Sequence, residues 1–147
     1  MVSIGESTCQ AKFWNAPVGY GGKGVIEVSQ MSRIALERTT NARDAIQLMG
    51  DLATSLGYYS CTYSGGGIDD YLGEGGEALT VIDAKEAWMF HVLPDDTGTS
   101  AVWVAQRVPD GHVSTCLPAF LQGTHIHTYI HTYIRREEKK REERRGA

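Results

Sequence analysis

The sequence predicts an α+β domain, its helices and antiparallel strands segregated along the chain rather than alternating. Three observations predict it. Ala42 to Leu56 carries apolar residues at helical spacing between a capping residue and a stop. Three strand-like runs, Ala78 to Ile82, Glu86 to Leu93 and Ala101 to Val108, follow one another across short turns. After Ser114 the composition changes abruptly, which divides the chain into a domain over residues 1–114 and a tail over 115–147.

Taken in order, Val2 begins an apolar-polar stretch that suits a strand, and the compact polar group Gly5-Glu6-Ser7-Thr8 follows it as a turn or loop. Pro17 and four glycines between Asn15 and Gly24 mark a loop. A first helix is expected from Glu27 to Arg38, because Met31, Ile34, Ala35 and Arg38 fall at i, i+3, i+4 and i+7. Thr40 or Asn41 would cap a second helix, since a short side-chain oxygen can take an orphan backbone N–H. That helix turns Ala45, Leu48, Met49, Leu52, Ala53 and Leu56 to one face and stops at Gly57.

Residues 57–76, rich in Gly, Ser, Tyr and Asp, read as a long surface loop. The strands come next, turned by Asp83-Ala84-Lys85, by Pro94 to Ser100, and ended at Pro109-Asp110-Gly111. The middle one, EAWMFHVL, is apolar nearly throughout, which predicts cover on both of its faces.

The tail is another kind of sequence. His127-Thr128-Tyr129-Ile130 repeats at once as His131-Thr132-Tyr133-Ile134, and Arg135 to Gly146 uses only Arg, Glu, Lys and Gly. Both runs can be written in simple nucleotide repeats, which suggests translated repetitive DNA, disordered or a solvated helix. His127 and His131 would share one helix face as a zinc pair does, but the repeat accounts for their spacing.

The net charge of −4 conceals an asymmetry. Arg135 to Arg145 holds seven Lys/Arg against four Glu, +3, leaving seven basic and fourteen acidic residues elsewhere, −7. An acidic body argues against a nucleic-acid partner. No run approaches the roughly 18 apolar residues of a membrane span, so no membrane partner is expected. The N-terminus lacks the basic head and apolar run of a secretory signal. Cys9, Cys61 and Cys116 are odd in number and widely spaced, which disfavours a disulfide framework and favours a reducing compartment such as the cytoplasm. No ligand spacing calls for a metal or cofactor; Asp95-Asp96-Thr97-Gly98 lacks the further ligands of a calcium loop.

Two groups invite a functional reading. Glu6, Ser7 and Thr8 could present backbone N–H groups to an oxyanion, or hold a substrate amine on Glu6. Glu74 and Glu77 flank a glycine pair that lets backbone approach a ligand. The plainer alternatives are a turn and exposed loop glutamates. Trp88, Phe90 and Trp103 read as core, and His91 and His112 as structural.

Five stretches carry a family resemblance: Gly5 to Cys9 (GESTC), Ser32 to Arg38 (SRIALER), Ala42 to Met49 (ARDAIQLM), Gly73 to Val81, and the aromatic-rich run from Glu86 to Ser114. Over roughly Val2 to Ser114 the chain resembles the cysteine dipeptidases of the N-terminal-nucleophile (Ntn) hydrolases, the family of dipeptidase A and the secernins. The resemblance implies part of a four-layer αββα fold with antiparallel sheets. It implies hydrolysis of dipeptides with a free N-terminus, by acyl transfer to a cysteine that leads the mature chain. It also favours Glu6, Ser7, Thr8 and Glu77 as substrate-binding residues.

In that family the nucleophile lies upstream of the Gly-Glu-Ser-Thr segment. The expectation is therefore a fragment with no catalytic residue of its own, inactive alone; Cys9 reads as a half-buried thiol. Downstream, Thr115-Cys116-Leu117-Pro118 stands where the family has an Ala-Asn-Gln-Phe type stretch. The competing expectation is a non-catalytic interaction module with a charged helical tail.

Overall fold

A computed structural model describes residues 1–9, 11, 13–60 and 75–115. Eight elements occur among them: β1 (Ser3–Cys9), β2 (Ile26–Glu27), α1 (Val28–Arg38), α2 (Ala42–Leu56), β3 (Tyr58–Tyr59), β4 (Gly76–Ile82), β5 (Ala87–Pro94) and β6 (Ala101–Arg107). Four strands form one antiparallel sheet in the order β1-β4-β5-β6, and β2 pairs with β3 in parallel. The α+β class with an antiparallel sheet is what the sequence predicts.

Local chemistry sets the helix ends. The Asn41 side chain accepts from the Asp44 N–H at 2.9 Å, and Gly57 at φ 74° closes α2 with its N–H on the Ala53 carbonyl at 3.1 Å. The α1 cap is Glu27, whose carboxylate accepts from the Gln30 N–H at 3.0 Å and from the Ser29 hydroxyl. A third anchor comes from far along the chain. Asp83, in the β4–β5 turn, accepts the Ala42 N–H at 2.7 Å and the Lys85 and Glu86 N–H groups at 2.7 and 3.0 Å. One carboxylate thus caps a helix and ties a hairpin turn.

Strand alternation sorts the sheet into two faces. Leu79, Val81, Trp88, Phe90, Val92, Ala101 and Ala105 face the helices and form the core with Met31, Ala35, Ala45, Ile46, Met49 and Ala53. The buried stripe of α2 is rotated from the expected one. Ile46 and Gly50 are buried, whereas Leu56 is 39% exposed. Gly50 is needed there because a Cβ would come within 2.2 Å of the Trp103 ring, which also packs on Phe90 with centroids 5.6 Å apart.

The opposite face differs from expectation. Met89 is buried on it, yet Ile82, Leu93 and Val102 are 45%, 36% and 60% exposed. The middle strand is therefore covered on its helix face and only partly on the other among the described residues. Within those residues there is one helical layer on one sheet. Two loop assignments also change. Gly5 to Cys9 lies inside β1, paired with β4, and Tyr58-Tyr59 is a strand rather than the start of a loop. Residues 61–74 and the tail from 116 onward lie outside the described residues, and with them the expectations for Glu74, Cys61, Cys116, His127 and His131.

Candidate functional site

The register between β1 and β4 decides which predicted residues meet. Thr8 stands opposite Glu77, Ser7 opposite Ala78, and Glu6 opposite Leu79. Alternation then puts Glu6, Thr8 and Glu77 on the helix-facing side and turns Ser7 to the other face. Three of the four expected binding residues are brought together, and Ser7 is separated from them.

Two further elements complete the cluster. β3 leaves α2 through Gly57 and pairs Tyr58 with Ile26 and Tyr59 with Glu27. Tyr58 and Ser60, two residues apart, extend toward the same side. Tyr58 is wholly buried, Ser60 is 3% exposed and Glu77 is 1% exposed. The Ser60 hydroxyl donates to Glu77 Oε1 at 2.8 Å. Glu6 is exposed and Thr8 and Glu27 half-buried, so the cluster grades from solvent at the β1 edge to the interior at Tyr58.

Among the described residues, the charges that act on Tyr58 are carboxylates. Burial pushes the Tyr58 phenol well above its ordinary range, and the charges of Glu77, then Glu6 and Glu27, add to this, while the neighbouring Ser60 hydroxyl opposes it. The Glu6 carboxyl is also raised, by burial first and by Glu27 second. Tyr58 therefore stays a neutral phenol, able both to donate and to accept. Among the described residues its hydroxyl, sealed from solvent, has the Ser60 hydroxyl as its neighbour but makes no hydrogen bond of good geometry. A buried hydroxyl left this way costs about 1–3 kcal/mol.

Tyr58, Ser60 and Glu27 were not among the residues the sequence singled out. The available signal was the Tyr-Tyr pair directly after a helix stop, two bulky residues suited to a buried strand.

Other candidates settle into structural places. Cys9 closes β1 on the opposite face from Glu77, and its thiol lies 3.7 Å from the Ser7 carbonyl. Trp88 and Phe90 are core. His91 lies on the face away from the helices, where loss of water pushes its imidazole below the ordinary value. Arg107 is paired with Glu86 and Asp110 at 3.4 and 2.7 Å. The Asp95 carboxylate accepts from Thr97 Oγ1 and the Ser100 N–H at 2.7 and 3.1 Å, which makes that segment a turn. A separate hollow of about 280 Å³ lies between α2 and the β5–β6 pair, with Trp88, Trp103 and Arg43 in its wall.

Fold and cluster together define an α+β domain whose polar centre is acidic, buried at one end and open at the sheet edge. The model of peptidase family C69 matches residues 15–120, well over half of the chain, and the protein belongs to that family. Comparison with curated proteins and with solved structures returned no match. Membership of a peptidase family makes the chain a hydrolase-type protein, which agrees with the peptidase part of the resemblance carried by its sequence.

Proposed function

We propose that the chain forms the substrate-side part of a cysteine-type dipeptidase of the Ntn-hydrolase kind, acting on small peptides with a free amino terminus. The observation that carries this reading is the buried Glu77–Ser60 pair beside Tyr58, set at the acidic edge of a C69-family domain. A dipeptide bears a cation one residue from its scissile bond. A carboxylate-rich site is suited to recognise that end of the peptide.

The reaction is acyl transfer to a thiolate, followed by hydrolysis. An α-amine of pKa about 8 on the nucleophilic residue itself serves as base. Cys9 is poorly placed for this. Its nitrogen is a peptide amide within β1, and its side chain lies on the far face from Glu77. In this reading the thiol comes from outside the described residues. Glu6, Thr8 and Glu77 contribute binding and orientation, as does Ser7 through its backbone alone.

A panel of free-amine dipeptides tests this. The expected result is no turnover by the chain alone, and turnover when a segment led by an N-terminal cysteine is joined upstream, lost again in Glu77→Gln. Turnover by the chain as it stands, abolished by Cys9→Ala, would overturn the assignment of the nucleophile.

A further inference from the structure

We propose that the sheet face turned away from the helices is a self-association surface, closed in solution by the same face of a second copy of this chain. The proposal rests on the sheet alone and is independent of the peptidase reading.

Strand register lays this face out in rows. Ser7, Ala78, His91 and Val104 stand side by side across β1, β4, β5 and β6, and Leu93 pairs with Val102 next to them. The helix-facing side carries Glu6, Glu77 and Arg107. In a chain with 22% charged residues, the four strands turn no Asp, Glu, Lys or Arg to the other side. An antiparallel sheet that faces water ordinarily alternates to polar side chains there. Here Ile82, Leu93 and Val102 are exposed instead, and an apolar face of this kind marks an interaction site.

Three features select a second copy as the occupant. The first is charge. A two-fold axis brings a surface against itself, which a charged face resists and a neutral one permits. A neutral face also gives an acidic or basic partner nothing to grip.

The second is relief. The β1–β4 half is shallow, with Gly5, Ser7 and Ala78, whereas His91, Leu93, Val102 and Val104 make the β5–β6 half tall. A two-fold axis lying along the strands sets β1 over β6 and β4 over β5. The tall half of each copy then meets the shallow half of the other. Ile82, the one large aliphatic of the shallow half, comes over the partner's Ala87, the smallest residue of the tall half.

The third is area. The strands are seven or eight residues long. At about 3.4 Å per residue and about 4.8 Å between strands, they give a footprint of roughly 450 Å². Two copies bury roughly 900 Å² between them, the range of a weak, reversible dimer.

The experiment is sedimentation of the full chain from about 1 to 500 µM under a reductant, so that no disulfide joins the copies. The expected result is a monomer–dimer equilibrium with a dissociation constant on the order of 10–100 µM. Leu93→Glu and Val102→Glu each put a carboxylate at an exposed position of the face and should weaken the dimer at least about tenfold. Leu36→Glu adds the same charge at an exposed position of α1 and should leave the dimer unchanged. Ser7→Leu separates fit from stickiness. It makes the face more apolar, yet it fills the space taken by the partner's Val104, and it too should weaken the dimer about tenfold. Urea melts check the fold of each variant. The three face substitutions lie on different strands, so the loss of one to misfolding leaves two.

A chain that stays monomeric throughout overturns the proposal. So does a dimer that survives both carboxylates, which is joined through another surface, or one that Ser7→Leu tightens, which is stickiness without register. Assemblies that grow beyond two also overturn it, since they are the mark of strand edges pairing in open series.

Discussion

The two ends of β4 handle charge in opposite ways. Just beyond its last residue, Asp83 is saturated by three backbone N–H groups, and these hold its carboxyl below the usual range. Nearby, Glu86 is held between Arg43 and Arg107, and Arg107 reaches on to Asp110. At the other end, Glu77 lies buried near Glu6 and Glu27, accepts from the Ser60 hydroxyl, and stands beside a phenol that makes no hydrogen bond of good geometry among the described residues. Charge at the Asp83 end is arranged to hold the helix and hairpin together. Charge at the Glu77 end is instead buried with like charges nearby, the kind of arrangement that clusters at functional sites.

Substitutions can break or sharpen this contrast. The largest effect is expected from Glu77→Gln. In a form able to turn over dipeptides, kcat/KM should fall by about a hundredfold, the worth of about one charge-assisted hydrogen bond, while the fold is kept. Collapse of the fold instead would make Glu77 a structural acid like Asp83 and dissolve the comparison. Tyr58→Phe comes next. Removing a sealed hydroxyl that makes no hydrogen bond of good geometry among the described residues should raise stability, by up to about 1–3 kcal/mol in urea melts. A loss of stability would show that the phenol has a partner in solution.

Asp83→Asn should lower the melting temperature near neutral pH. The sign of its pH dependence follows from linkage. A carboxyl whose folded pKa lies below its unfolded value of 3.8 stabilises the fold above that pH, and the stabilisation disappears as pH falls through the folded value. The variant should therefore flatten the acid limb of a stability profile in that window; an unchanged limb would count against the cap. Arg43→Ala is the smallest. It removes an exposed pair with Glu86 and a guanidinium 5.1 Å from the Trp88 ring centroid, for a loss of about 0.5–1 kcal/mol by chemical denaturation.

What the sequence disclosed divides along the same line between local and distant contacts. The bounds of α2 match expectation because Asn41 and Gly57 act within their own turn. The β4–β5–β6 meander was legible from its apolar runs and the short turns between them. What stayed hidden depended on partners far along the chain. Gly50 looks like a weak helix residue until Trp103 is laid against it. Tyr58-Tyr59 looks like loop because a two-residue strand has no period, and its pairing with Ile26-Glu27 crosses both helices. At the site, Glu6, Thr8 and Glu77 were named from motif and resemblance, but their juxtaposition comes from strand register. Ser60 entered only through its bond to Glu77, seventeen residues on. Ser7 was named beside its neighbours and then turned away by the strand's alternation.

One asparagine gives the acidic end a mechanical property. Asn15 Nδ2 donates to the Tyr58 and Gly98 carbonyls at 2.9 and 2.8 Å, while its Oδ1 accepts from the Ala16 and Lys23 N–H groups at 3.1 and 3.3 Å. A single amide thus rivets the N-terminal loop, the β5–β6 hairpin tip and the backbone of Tyr58 to one another. A tug on the hairpin tip is felt at the tyrosine, and the tyrosine cannot shift without dragging a loop more than thirty residues upstream. The backbone that carries the phenol is thereby fastened to two segments distant in the chain.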